Sequence, residues 1–205
     1  MTRPRAGYVG FTRTPTSTAA SGVWTLREAE ASKRAAAWPD TILPVSFVAI
    51  PLMTSATAPS GTASASAILG AGLDAFRAFD KATVPNDGTF YASPSPATNS
   101  WIQYDFGAGS ASGIGGYTIT SRNLSGYGDS SSGLSQVPSA WTLSGSSDGT
   151  TFAVIDTRTG ESFTQGQTRT FTLSAPAAYR VYRWTWTATP AGGAVIVPKI
   201  QLVAP

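Results

Sequence analysis

The chain predicts an all-β protein: a jelly-roll β-sandwich over residues 47–205, preceded by an extended N-terminal arm with one short α-helix. Three observations predict it. Short runs alternate apolar and polar residues: over 101–106, Ile102, Tyr104 and Phe106 fall on one face and Gln103 and Asp105 on the other. Turn chemistry separates these runs, as at 146–149, where Asp148 and Gly149 supply the side-chain-to-backbone bonds and the positive φ of a reverse turn. Composition agrees, since 41% of the 205 residues are hydrophobic and only 12% are charged, against roughly 25% charged in an average soluble protein. Gly, Ser, Thr and Ala fill the difference, which suits short strands and a surface made polar by hydroxyls.

The first twenty residues, with Tyr8 and Phe11, show no helical period and read as extended. Thr25 and Glu28 have capping-box spacing, good helix formers fill 26–37, and Pro39 ends the run at Trp38. An alanine-rich helix this short is marginal alone in water. Trp24 and Trp38 flank it and need a surface. Either the helix caps the β-domain, or Trp24, Leu26 and Trp38, with Tyr8 and Phe11, dock onto another chain. Strands are predicted at 46–54, 64–68, 101–106, 116–122, 140–144, 152–156, 168–173, 179–188 and 194–202, with a helical turn at 73–79 where Leu73, Phe76 and Phe79 repeat at three. The connection 123–137 is rich in Ser and Gly and carries Leu124, Tyr127 and Leu134; loops of that length in compact domains are functional or mobile.

Fourteen basic and eleven acidic side chains give a net charge of +3. All of the excess lies before Ser46, and the remainder is neutral, so nucleic acid is not an expected partner of the folded domain. No run approaches the ~20 apolar residues of a membrane helix, and the residues after Met1 lack the apolar core of a signal peptide, so neither membrane insertion nor a leader is expected. With neither His nor Cys in the chain, Ser–His triads, Cys nucleophiles and zinc sites of the usual kinds are excluded. A glycosidase needs two carboxylates across a cleft, but Asp105, Asp129, Asp148 and Asp156 are scattered among strands and turns, each explicable as a turn former or edge residue. The expectation is a protein that is not an enzyme.

Several segments share an order with a known family. The stretch 51–66 followed by Ala-Phe-Arg-Ala-Phe-Asp over 75–80, Trp-Ile-Gln-Tyr-Asp-Phe-Gly over 101–107, Gly-Tyr-Thr-Ile-Thr-Ser-Arg over 116–122, the run from Pro138 through Trp141 and Asp148-Gly149 to Phe152, and Tyr-Arg-Val-Tyr-Arg over 179–183 resemble a coagulation-factor type C, or discoidin-like, domain. The resemblance covers about residues 50–205. It implies a galactose-binding-like jelly roll that binds sugars, or sometimes lipids or proteins, through loops at one end.

Two departures bear on function. Many members of the family hold a structural calcium beside the Phe-Asp turn, completed by an acidic residue from the last strand. Here Asp80 is present and Asp87 is near, but Lys199 stands where the acid is expected. Calcium needs several hard oxygens, so the cofactor expectation is none, with Lys199 pairing with Asp80 in place of the ion or facing solvent. Sugar-binding members also use a planar ring together with Arg, Asn or His. His is absent, which leaves Tyr127, Arg122, Asn123, Tyr91 and Phe90 as candidate glycan contacts; packing in the core is the other reading of Tyr91, and bracing the loop that of Arg122. The row Arg180, Tyr182, Trp184 and Trp186 reads as sheet-face packing.

The N-terminal segment, with Gly-Tyr-Val-Gly-Phe over 7–11, Ser-Gly-Val-Trp-Thr-Leu over 21–26 and Trp38-Pro39, resembles a segment met at the start of tailed-phage virion proteins. That resemblance implies a particle subunit (fibre, spike, tail tip or capsid decoration) made in the host cytoplasm and located on the virion. Its partners would be other virion proteins, sister subunits and host surface polysaccharide. A purely architectural subunit and a bacterial carbohydrate-binding module are the alternatives.

Overall fold

The computed structural model describes residues 47–48, 50–80, 89–123 and 134–205. The segment 1–46, with Tyr8, Phe11, Trp24, Leu26 and Trp38, lies outside them, as do Asp87, Tyr127 and Asp129.

Antiparallel strands form a sandwich. One sheet has the order β1 (Phe47–Val48), β11 (Lys199–Val203), β5 (Ser112–Thr120) and β8 (Thr168–Tyr179). The other runs β2 (Thr62–Ala65), β4 (Trp101–Asp105), β9 (Val181–Ala188), β6 (Ala140–Ser146) and β7 (Ala153–Arg158). A two-stranded ribbon joins β3 (Tyr91–Ala92) to β10 (Ile196–Val197). The predicted all-β sandwich is thus present.

Alternation decides which side chains fill the space between the sheets. In β4, Ile102 and Tyr104 are buried, and in β9 Tyr182, Trp184 and Trp186 are wholly so. The latter three confirm the packing reading of their row. From the opposite sheet come Ile114, Tyr117, Ile119, Phe171, Ile200 and Leu202. Aromatic rings meet edge to face, Tyr117 on Trp184 at 5.9 Å between centroids and Trp141 on Phe171 at 5.0 Å, the arrangement their quadrupoles favour.

Proline accounts for two differences from the expected strands. The stretch predicted at 194–202 is two strands, β10 and β11, separated at Pro198, which has no amide to give a ladder. Among the described residues of the stretch predicted at 46–54, only Phe47–Val48 pairs, with Val203 and Leu202, and residues 50–53 around Pro51 have no regular structure. Conversely β8 runs to Tyr179 past Pro176, which an edge strand tolerates. The expected helical turn is a 3-10 turn at Ala75–Ala78 that seats Phe79 in the core. The Asp148 turn is as predicted. Its Oδ1 accepts from the amides of Thr150 and Thr151, both at 2.8 Å, and Gly149 has φ +83°.

Candidate functional site

At the end of β5 the chain leaves the sheet through Ser121, Arg122 and Asn123. These three are tied to the connection between β7 and β8. The Ser121 amide donates to the Gln167 carbonyl at 2.9 Å, and the Gln167 amide donates to Ser121 Oγ at 3.0 Å. Ser121 Oγ in turn donates to the Thr164 carbonyl. The Gly166 amide donates to the Arg122 carbonyl at 2.8 Å. Gly166 has φ +64°, and a Cβ there would sit 3.6 Å from that of Asn123, so the two loops touch where only glycine adopts the backbone without strain.

The Arg122 guanidinium lies over the Phe90 ring, 4.6 Å from its centroid. Both residues are partly exposed, as is Asn123. Three of the five sequence candidates therefore gather at one end of the sandwich: Arg122 and Phe90 in contact, Asn123 beside them. A guanidinium on an aromatic face is oriented by the ring quadrupole at a gain of about 0.5–1 kcal/mol when exposed.

Tyr91 is a correction. Its side chain is fully buried, and its hydroxyl donates to the Ala67 carbonyl at 3.4 Å. Burial pushes its phenol well above the usual range. As the first residue of β3, opposite Val197, it belongs to the core, and its ring cannot stack on a ligand.

The sequence did not point to what lies alongside. A groove of about 380 Å³ is lined by Gly160, Glu161, Ser162, Phe163, Thr164, Gln167 and Arg169. Thr164 and Gln167 are the residues that bind Ser121, so the groove adjoins the Arg122 loop. Arg169 organises its wall: it pairs with Glu161, donates to the Ser162 carbonyl at 2.7 Å and lies 5.1 Å from the Phe163 ring centroid. A more apolar hollow of about 250 Å³ lies on the other side of Glu161–Phe163, against Leu134, Val137, Pro138 and Pro190. One signal was present: Phe163, like Tyr127, is an aromatic set in a polar loop.

Of the carboxylates considered for acid–base chemistry, the three among the described residues are engaged elsewhere. Asp105 is held by Arg180 through two bonds of 2.8 and 2.7 Å. Asp156 accepts from Tyr117 at 2.7 Å and from Arg158 at 2.8 Å, and Asp148 closes its turn. No three acidic side chains converge among the described residues, Asp80 receives Arg77 at 3.1 Å, and Lys199 is buried at the start of β11 opposite Thr120.

No protein-family model matches the chain, and no curated protein does. Solved structures do. Chitosan-binding module 1 of a chitosanase/glucanase from Paenibacillus sp. IK-5 is 22% identical, with a TM-score of 0.53 over 69% of this chain and 93% of that one. A family 32 carbohydrate-binding module of Clostridium perfringens NanJ, in complex with galactose, is 16% identical, with a TM-score of 0.54 over 70% and 93%. The module CBM32-5 from the same organism, in complex with GalNAc-β-1,3-galactose, is also 16% identical, with a TM-score of 0.54 over 70% and 95%. At these identities the likeness is one of fold: the chain has the β-sandwich of carbohydrate-binding modules.

Proposed function

We propose that the sandwich is a non-catalytic glycan-binding module whose site is the loop end formed by Arg122, Asn123, Phe90 and the adjoining groove. The observation that carries the reading is the Arg122 guanidinium, oriented on Phe90 beside a groove that holds a second half-exposed ring, Phe163. Sugars are bound by such sets, because their C–H faces pack on rings while their hydroxyls need directional donors and acceptors. The fold shared with modules solved in complex with galactose and GalNAc-β-1,3-galactose supports it. Tyr127, in the same connection as Asn123, is the further stacking candidate. A single shallow site of this kind binds weakly, and repetition would supply avidity.

A calorimetric glycan titration of the full chain tests the reading. Arg122→Ala is expected to weaken binding roughly tenfold, as loss of hydrogen bonds from a charged group does, with the melting temperature unchanged. Undiminished binding by the variant overturns the site, and absence of any glycan ligand overturns the function. The same reading takes Lys199 with Asp80 as a metal-free substitute for the family's calcium site, so titrated calcium is expected to give no binding heat; tight binding removes it.

The fold adds weight to the carbohydrate-binding-module reading over a virion subunit. The virion reading rests on residues 7–39, including Tyr8, Phe11, Trp24, Leu26 and Trp38, which lie outside the described residues. Proteomics of purified particles separates the two.

A further inference from the structure

The outer face of the five-stranded sheet carries a feature that the loop end does not use. Because Ile102, Tyr104, Leu143, Tyr182 and Trp184 point into the core, their neighbours Gln103, Ser144 and Arg183 point outward, in register across β4, β9 and β6. Arg183 is clamped there. Its guanidinium carbon lies 4.2 Å from the Trp101 ring centroid and 3.6 Å from that of Phe152, and its Nε donates to Gln103 Oε1 at 2.8 Å. All three clamped side chains are partly exposed.

Four other arginines of the described residues are neutralised. Arg77, Arg158, Arg169 and Arg180 each pair with a carboxylate, respectively Asp80, Asp156, Glu161 and Asp105. Arg183 has neutral cross-strand partners on both sides, Gln103 and Ser144, and its two Nη groups donate to no acceptor among the described residues. The acid on the same face of β4, Asp105, has both oxygens engaged by Arg180. No carboxylate among the described residues pairs with Arg183, and partial burial disfavours its cation and pulls its pKa below the ordinary value.

We propose that this face is a second binding site, distinct from the loop end, which takes the carboxylate of an acidic saccharide such as a uronate. Two parallel Nη–H groups match a carboxylate bidentately. Stacking and the Gln103 bond have already fixed the guanidinium plane, so little rotamer entropy remains to be lost on binding. Trp101 offers a ring to the sugar face, and Ser64 and Thr185, on the same side of the sheet, offer hydroxyls to the sugar's own.

The site is tested by nitrogen-15 NMR of the full chain, titrated with tetragalacturonate and, as the neutral control, galactotetraose. The Arg183 Nε–H and Trp101 indole resonances are expected to move with the uronate alone. Arg183→Gln should weaken uronate binding roughly tenfold or more, the loss expected for hydrogen bonds to a charged group. Gln103→Glu, which retains the arginine but supplies an internal carboxylate, should do the same at an unchanged melting temperature, and covers the case in which Arg183→Gln misfolds. Arg122→Ala should leave uronate binding intact. Shifts confined to Arg122 and Asn123, no shift at all, or undiminished binding by Gln103→Glu overturn the proposal. Neutral-glycan binding at the loop end is read in the same spectra, so each site fails or stands by itself.

Discussion

The centre of the sandwich and its loop end use polar side chains in opposite ways. At the centre, Trp141 Nε1 donates to the Tyr117 hydroxyl at 2.7 Å, which donates to Asp156 Oδ2 at 2.7 Å, which also accepts from Arg158 Nε at 2.8 Å. Arg158 then donates to the Thr172 carbonyl at 2.9 Å. This chain of bonds runs from β6 through β5 and β7 to β8, joining the two sheets across their gap. At the loop end the internal bonds are mostly made by backbone amides and carbonyls, and Arg122, Asn123 and Phe90 keep part of their surface in solvent. The difference teaches where stability and recognition are stored. The scaffold uses its polar groups on itself, whereas the site ties its loops largely through backbone groups and leaves Arg122, Asn123, Phe90 and Phe163 partly exposed.

The most severe test of that division is Trp141→Ala. It removes a fully buried ring packed on Phe171 and Trp186 together with the first donor of the bond chain. A loss of about 3–5 kcal/mol is expected for an aromatic-to-alanine change in a packed core, measured by urea unfolding. The contrast with Arg122→Ala is the point: one change removes stability, the other affinity. A loss at Trp141 no larger than at a surface residue would break the comparison.

Tyr117→Phe sharpens it. The ring stays, stacked on Phe171 at 5.2 Å, but Trp141 Nε1 loses its acceptor and Asp156 loses a donor. Leaving a buried polar group without its partner costs about 1–3 kcal/mol. The urea midpoint should fall accordingly, with glycan affinity unaltered. An equally stable variant would show that ring packing alone holds the sheets together.

Much of the scaffold was legible in the sequence, for a physical reason. Period-two alternation is local, so Ile102, Tyr104 and Phe106 announced their face without knowledge of any partner strand. Strand ends were less legible, because pairing partners set them: β8 is extended by its match with β5, including the bulge between Ile114 and Gly116. β3 was missed because two residues carry no period. At the site, Arg122 and Asn123 were visible as polar residues at a strand end. The groove was not, since Glu161, Phe163 and Arg169 reach Arg122 only through the tertiary bonds of Ser121 with Thr164 and Gln167. Of the two readings of Tyr91 the core one holds, and the adjacent pair Phe90–Tyr91 gave no local sign of which ring faces inward. The Arg183 clamp draws on Trp101 and Phe152, far apart in the chain, and no local pattern joins them.

The smallest effect is expected at the rim, where an ion pair is partly wet. Arg180 holds Asp105 through two hydrogen bonds, and that contact, ahead of the amide of Gly107 at 2.7 Å, holds the Asp105 carboxyl below its ordinary 3.8. A depressed carboxylate stabilises the fold above its unfolded value, and the contribution disappears as pH falls through the folded one. Wild type and Asp105→Asn should therefore differ modestly in melting temperature near pH 6 and converge as pH falls below the ordinary carboxylate range. A difference that persists at low pH would assign the effect to packing instead of charge. The central bond chain should show no matching change at alkaline pH, because burial and the Asp156 carboxylate push the Tyr117 phenol far above its ordinary value and keep it neutral.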